Sequence, residues 1–159
     1  MEKSVLLDTS FFIRFLKVDD PLYQNADDYF RYFLENNINM LVSTISIAEF
    51  CIGGSIDELP LKNIQIVPFN VNHARRAGEF ARVAFQHKHK GDLIVKERLI
   101  IPNDTKLFAQ ADCIETVEFY LSSDLESLKV YNSFKNELIP NFQFVDLNVP
   151  LKEFLGLLF

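Results

Sequence analysis

The sequence has no tryptophan, only two cysteines, and no long apolar run at its start. The apolar stretch after Met1 ends at Asp8, which makes it too short for a signal peptide or a membrane span. Cys51 and Cys113 lack the CxxC spacing of metal-binding pairs, and no secretory context favours a disulfide between them. We therefore expect a protein of the reducing cytoplasm that does not associate with membranes.

An excess of positive charge is also missing, since the formal net charge is −6 and the pI is about 5.0. Proteins whose main function is to bind nucleic acid are usually basic, because phosphate neutralisation supplies much of their affinity. This argues against a simple nucleic-acid-binding module. It does not exclude an enzyme that acts on nucleic acid, because clustered carboxylates in a metal site lower the net charge.

No stretch rich in proline, glycine or serine offers a linker between domains. At 159 residues and 48% hydrophobic composition, the chain suits one domain over residues 1–159 with an ordinary core. Sixteen phenylalanines bring large apolar area without a polar group, so we expect most of these rings to fill the core.

Short apolar segments alternate with segments of helical periodicity along the chain. Helices are predicted over 22–35 and 43–52, after a cap at Asn72, over about 103–113, and from Leu125 to Leu138. Strands are predicted at Val5–Leu7, Met40–Val42, Ile64–Pro68, Val117–Leu121 and Phe142–Val145. This alternation predicts a three-layer α/β/α fold with a central, mostly parallel sheet of four to five strands.

Four acids stand near the predicted carboxyl ends of these strands. Asp8 directly follows the first strand, Asp124 follows the fourth, Asp104 opens a predicted helix, and Glu49 lies in the helix after the second strand. Ligands of open parallel sheets bind in the crevice beyond these strand ends.

Each acid also has a structural interpretation. Asp124 falls within a Ser123-x-x-Glu126 capping box, Asp104 is a first-turn acid, and Glu49 follows Ser46 with capping-box spacing. Asp8 is harder to explain in this way, because an acid that ends a buried strand must find a partner.

Taken together, the four carboxylates indicate a metal centre. Four converging acceptors repel one another unless a cation or shared protons intervene. Oxygen ligands suit Mg²⁺ or Mn²⁺ rather than zinc, and such an ion can activate water for attack on a phosphodiester.

The segments around these acids resemble four motifs of the PIN-domain family, in the same order along nearly the whole chain. The first two are Val5-Leu6-Leu7-Asp8-Thr9-Ser10 and Val42-Ser43-Thr44-Ile45-Ser46-Ile47-Ala48-Glu49-Phe50. The others are Pro102-Asn103-Asp104-Thr105-Lys106-Leu107-Phe108-Ala109-Gln110-Ala111 and Leu121-Ser122-Ser123-Asp124. The sequence departs from the family at Ser122, where threonine is commoner, and at Lys106 and Phe108, where small aliphatics are usual.

The resemblance implies a Mg²⁺- or Mn²⁺-dependent endoribonuclease of the type found in toxin–antitoxin pairs. Asp8, Glu49, Asp104 and Asp124 would be its catalytic and metal-binding residues, with Thr9 and Ser122 in support. It further implies a cognate antitoxin that covers the acidic crevice, and often a homodimer.

One stretch is clearly basic, with His87-Lys88-His89-Lys90 followed by Lys96 and Arg98. It is interpreted either as a solvated loop after a helix or as a contact surface for RNA phosphates. We name Lys88, Lys90, Arg98 and Lys106 as candidate substrate-binding residues.

Two other functions compete with this interpretation. A phosphatase of the HAD type also begins from an acid at a strand end, but it needs a second Asp at position 10, where this chain has Ser10. A catalytically silent PIN-like interaction module is the remaining alternative. Its surface would include the apolar tail 151–159, although we expect this tail to dock on the domain.

Overall fold

A computed structural model of the chain describes residues 1–97 and 99–156. The five strands are β1 (Lys3–Leu7), β2 (Ile38–Ser43), β3 (Ile64–Val67), β4 (Val117–Ser122) and β5 (Gln143–Asp146). The α-helices are α1 (Thr9–Phe15), α2 (Tyr23–Glu35), α3 (Thr44–Phe50), α4 (Val71–Lys90), α5 (Ile100–Cys113), α6 (Leu125–Leu138) and α7 (Leu151–Phe154). Two short 3-10 helices, Ile56–Glu58 and Leu61–Asn63, precede β3.

The strands form one parallel sheet in the order β3-β2-β1-β4-β5. β1 lies at its centre and is buried from Ser4 to Leu7, as expected of a strand covered on both faces. The chain builds outward from β1 to β3 and then crosses to β4 on the other side of β1. The predicted three-layer α/β fold with a parallel sheet is confirmed.

Alternation along the strands divides the core into two clusters, one on each face of the sheet. Leu6 and Tyr120 face a cluster that includes Phe80, Phe108 and Phe134 from α4, α5 and α6. The opposite face packs against α1, α2 and α3 through the residues Val5, Leu7, Leu121, Phe11, Phe12, Tyr29 and Phe33. Most of the phenylalanine rings thus do lie between layers, as the composition predicts.

Two helix starts differ from the sequence predictions. The cap of α4 is Asn70 rather than Asn72: its Oδ1 accepts the His73 N–H at 3.1 Å, and His73 Nδ1 accepts the Asn70 N–H at 3.1 Å. Helix α5 begins at Ile100, so Asp104 lies in its second turn instead of opening it. Pro102 is accommodated because first-turn N–H groups have no partner within the helix.

The predicted loop at 87–90 is the last turn of α4, which ends at Gly91 with φ +85°. Cations are favoured there by the negative end of the helix dipole. Helix α1 was not predicted.

The C-terminal segment docks on the domain as far as the structure describes it. Leu151 and Phe154 pack against the α2 side of the core, and the Phe154 ring contacts Tyr29 and Phe119. Residues 157–159 of the tail lie outside the described residues. No helix in the described part of the chain is both long and apolar enough to cross a bilayer.

Candidate metal centre

The four acids lie at the carboxyl edge of the sheet, where the charges of Asp8, Asp124 and Glu49 act on Asp104. This is beside the point where the chain crosses from one side of β1 to the other. Asp8 follows β1, and Ser122 ends the adjacent β4. The Asp8 N–H donates to the carbonyl of Leu121 at 3.0 Å, which locks the two strand ends together. Such a crossover point is where open parallel sheets bind their ligands.

Asp8 is held in place by two hydroxyl groups. Its Oδ2 accepts hydrogen bonds from Ser10 Oγ at 2.7 Å and from Ser122 Oγ at 2.8 Å. Each hydroxyl is itself fixed by a backbone N–H: Ser123 donates to Ser10 at 3.0 Å, and Asp124 donates to Ser122 at 3.1 Å. Both side-chain bonds use the same oxygen, so the Asp8 carboxylate is oriented by the fold before any ligand binds.

Asp104 approaches the site from α5, and its charged form is favoured only weakly, by the hydroxyl of Ser127. Its Oδ2 is buried without a hydrogen-bond partner in the described part of the chain. Burial, followed by the negative charges of Asp8, Asp124 and Glu49, raises the pKa of Asp104 to about 8. A buried carboxyl among three other acids is costly unless a proton or a cation neutralises it.

Glu49 comes from the last turn of α3, on the other side of the sheet. Its Oε2 accepts a hydrogen bond from Thr9 Oγ1 at 2.7 Å. Partial burial raises the pKa of Glu49, and the charge of Asp8 adds to this effect, while the Thr9 hydroxyl and the charge of Lys106 oppose it. The capping position of α3 belongs to Ser43, so Glu49 has no capping role.

Asp124 does have a structural role. It is the N-cap of α6, and its Oδ1 accepts the N–H groups of Glu126 at 2.9 Å and Ser127 at 3.4 Å. The cap is therefore Asp124 itself rather than Ser123. Capping engages one oxygen, and the negative charge of Asp124 still acts on Asp104.

Unpaired buried polar atoms concentrate at this edge of the sheet. The Tyr120 hydroxyl is fully buried without a partner, and its pKa lies well above the usual value because of burial and then the charges of Asp8 and Asp104. Ser127 Oγ and Ser46 Oγ, on helices that carry Asp124 and Glu49, are also buried without partners. Buried polar atoms are usually paired, so this concentration indicates a site built for something other than stability.

The donor set fits a hard divalent cation. Across residues 1–97 and 99–156, no three acidic, histidine or cysteine side chains come close enough to surround one ion. Mg²⁺ commonly uses only one or two carboxylates and completes its shell with water and substrate phosphates. Asp104 and Asp8 suit this pattern, since Asp8 is the strongest charged neighbour of Asp104.

The candidate substrate-binding cations separate into two groups. Lys106 lies on α5 close enough for its charge to act on Glu49. Lys88 and Lys90 belong to the last turn of α4 and line none of the clefts around the acids. Arg98 lies outside the described residues.

Sequence reasoning missed four residues beside the acids: Ser10, Arg14, Lys17 and Lys129. Ser10 carried a signal, because a hydroxyl two residues after a strand-ending acid can turn back to that acid. The three cations carried none, since Lys129 is more than a hundred residues from Arg14 and Lys17 and joins them only in the cleft between α1 and α6.

Comparison with known proteins agrees with the fold. The family profile of the PIN domain matches residues 5–116. The DNA-bound VapBC complex from Salmonella typhimurium is 18% identical with a TM-score of 0.56, over 92% of this chain and 99% of the other. VapBC2 from Rickettsia felis, bound to a promoter DNA fragment, is 17% identical with a TM-score of 0.55, over 90% and 99%. At these identities the likeness shows a shared fold. No match is found among curated protein sequences.

Proposed function

Because the chain belongs to the PIN domain family, we propose that it is a metal-dependent endoribonuclease that hydrolyses phosphodiester bonds in RNA. The observation that carries the proposal is Asp104, whose carboxyl stands among three other acids and whose Oδ2 is buried without a hydrogen-bond partner among the described residues. A divalent cation would remove the repulsion and supply the missing partner at once.

Asp8 and Asp104 would hold the cation, Mg²⁺ or Mn²⁺, with Asp124 contributing negative charge beside it. The cation supplies a polarised water and stabilises charge on the phosphodiester. Ser10 and Ser122 keep the Asp8 carboxylate oriented through Oδ2.

Glu49 would act as the proton acceptor for the attacking water. Thr9 engages Oε2 of Glu49, so Oε1 is the atom we assign to the proton. The pKa of Glu49 is raised toward neutral pH, and a general base is most effective when its pKa is close to the operating pH.

We further propose that the protein is the toxin of a toxin–antitoxin pair, since the two similar structures described above are VapBC complexes. The antitoxin would bind in an apolar cleft beside Glu49 and would thereby cover the acids. The cleft contains Ile13, Leu16 and Ile52, which are 44%, 36% and 88% exposed. Toxin-type members of the family also motivate a homodimer, which analytical ultracentrifugation of the purified chain tests.

The direct test is cleavage of single-stranded RNA by the purified protein with Mg²⁺ or Mn²⁺. We expect EDTA and Asp8→Asn each to lower the rate by at least about a hundredfold, because several kcal/mol of charge stabilisation is lost. Asp28→Asn is the control, since the Asp28 carboxylate accepts an exposed hydrogen bond from Gln24 on α2, away from the acid site. Cleavage that persists in EDTA and in Asp8→Asn would overturn the proposal.

The silent interaction module makes the opposite prediction. An intact site should gain thermal stability with Mn²⁺ as ligand linkage requires. A silent module should show neither this gain nor any cleavage.

A further inference from the structure

A cleft of about 850 Å³ begins at the acid site and runs away from it between α1 and α6. Ser10, Ser123 and Asp124 line its inner end. Four cations from three separate parts of the chain line the remainder: Arg14, Lys17, Lys96 and Lys129. We call this feature the basic cleft. It is notable in a chain whose net charge is −6.

Two of the cations are paired with acids that also line the cleft, Asp20 and Glu126. Arg14 Nη1 lies 3.0 Å from Asp20 Oδ2, and Lys129 Nζ lies 2.7 Å from Glu126 Oε1. The Lys129 side chain remains 52% exposed. The Arg14 side chain is 36% exposed, so both cations keep part of their charge open to solvent, where a phosphate can bind as a second partner beside the carboxylate.

We propose that the basic cleft binds the phosphate backbone of single-stranded RNA on one side of the bond to be cut. The inference rests on the proposed function, because it assumes that a phosphodiester lies over the acids. It also moves substrate binding away from Lys88 and Lys90. Those cations sit at the C-terminus of α4, where they offset the dipole of their own helix.

The position of the cleft favours RNA over an acidic protein segment. Its inner end is formed by Ser10 and Asp124, which belong to the acid site. A strand with one phosphodiester over the acids therefore places a neighbouring phosphate in the cleft. An acidic peptide has no phosphodiester to place over the acids and their cation, so nothing anchors it at the inner end of the cleft.

The test measures binding of a fluorescein-labelled single-stranded RNA by anisotropy, with Asp8→Asn in the full chain to prevent cleavage. In this background we expect Lys17→Ala and Lys129→Ala each to raise Kd about three- to tenfold at low salt and to reduce the salt slope by about 0.7. Lys135→Ala is the matched control, because Lys135 is an exposed lysine on the same helix outside the cleft. It should leave Kd within about twofold.

A gain-of-binding variant guards against simple loss of folding. Glu126→Gln removes the acid that competes for Lys129, and its amide oxygen can still accept the Lys96 N–H. It should lower Kd. Thermal melts of every variant show whether the fold is retained.

Three results would overturn the inference. The first is that Kd and the salt slope do not change in Lys17→Ala and Lys129→Ala although the wild-type protein cleaves RNA. This result would leave the proposed function unaffected. The second is loss of binding only in a Lys88→Ala/Lys90→Ala double variant. The third is an affinity for poly-glutamate that equals the affinity for RNA and depends on Lys129, which would assign the cleft to acidic protein segments. Absence of both RNA binding and cleavage in the wild-type protein would overturn the proposed function as well.

Discussion

Asp104 and Asp112 lie two turns apart on α5, and both carboxyls are largely removed from solvent, but their surroundings are opposite. Asp112 Oδ2 lies 2.7 Å from Arg76 Nε, and its Oδ1 accepts the Asn141 N–H at 2.7 Å. Asp104 has an unpartnered Oδ2 and three acids as charged neighbours. Asp112 is thus an acid that stabilises the fold, whereas Asp104 is destabilising by itself and is placed to bind a ligand.

The largest effect that this comparison predicts is on activity. Asp104→Asn should lower RNA cleavage by at least about a hundredfold, because a metal-held charge is lost. The same variant should melt at a higher temperature than the wild-type protein in EDTA at neutral pH, because folding of the wild-type protein must add a proton to Asp104 and asparagine needs none. RNA cleavage assays and thermal melts measure the two effects. Asp104→Asn that is both active and less stable would contradict a ligand site at Asp104.

Asp112 should show the reverse behaviour. Asp112→Ala leaves Arg76 without its buried partner and removes the acceptor of the Asn141 N–H, so we expect a loss of about 3 kcal/mol of unfolding free energy. Urea denaturation measures this loss, and cleavage per folded molecule should not change. Glu79→Ala is the control, since Glu79 contacts the same arginine but its side chain is 41% exposed. It should cost less than about 1 kcal/mol.

The sequence distinguishes these two acids only through the family resemblance. Periodicity places both on one helix, and the spacing of Asp104 after the second motif singles it out as a site residue. The partners of Asp112 are 36 and 29 residues away, in α4 and the loop before β5. Such long-range pairing has no local signature, so the sequence does not show which residues hold Asp112.

The fold was more predictable than the site. Buried apolar strands and alternating helices have strong local patterns, and the parallel sheet follows from them. Helix starts were less predictable, because Pro102 fits inside the first turn of α5 and because Asn70 and Asn72 are equally good caps by type. The basic cleft was not predictable, since its cations are brought together only by the tertiary fold.

A pH titration of stability sharpens the comparison without changing any residue. The pKa of Asp104 is raised from 3.8 to about 8, so the folded protein holds a proton that the unfolded chain releases between these values. Stability of the metal-free protein should therefore fall as pH rises from about 4 to about 8. Thermal melts in EDTA across this range measure the effect. In Asp104→Asn the loss of stability over this pH range should be smaller. A loss of the same size as in the wild-type protein would show that other groups cause it.

The smallest predicted effect concerns the hydroxyl that positions Asp8. Ser122→Ala removes the 2.8 Å bond to Asp8 Oδ2 and the acceptor for the Asp124 N–H, while Ser10 still holds Asp8. We expect about a tenfold loss of metal affinity or activity, the lower end for groups that orient a metal ligand. Ser122→Thr should restore the wild-type values, because it keeps the hydroxyl. Mn²⁺ titration separates this role from a structural one: a lower affinity for Mn²⁺ in Ser122→Ala but not in Ser122→Thr places the effect at Asp8. A loss of stability with unchanged Mn²⁺ affinity would make Ser122, like Asp112, a residue that serves the fold alone.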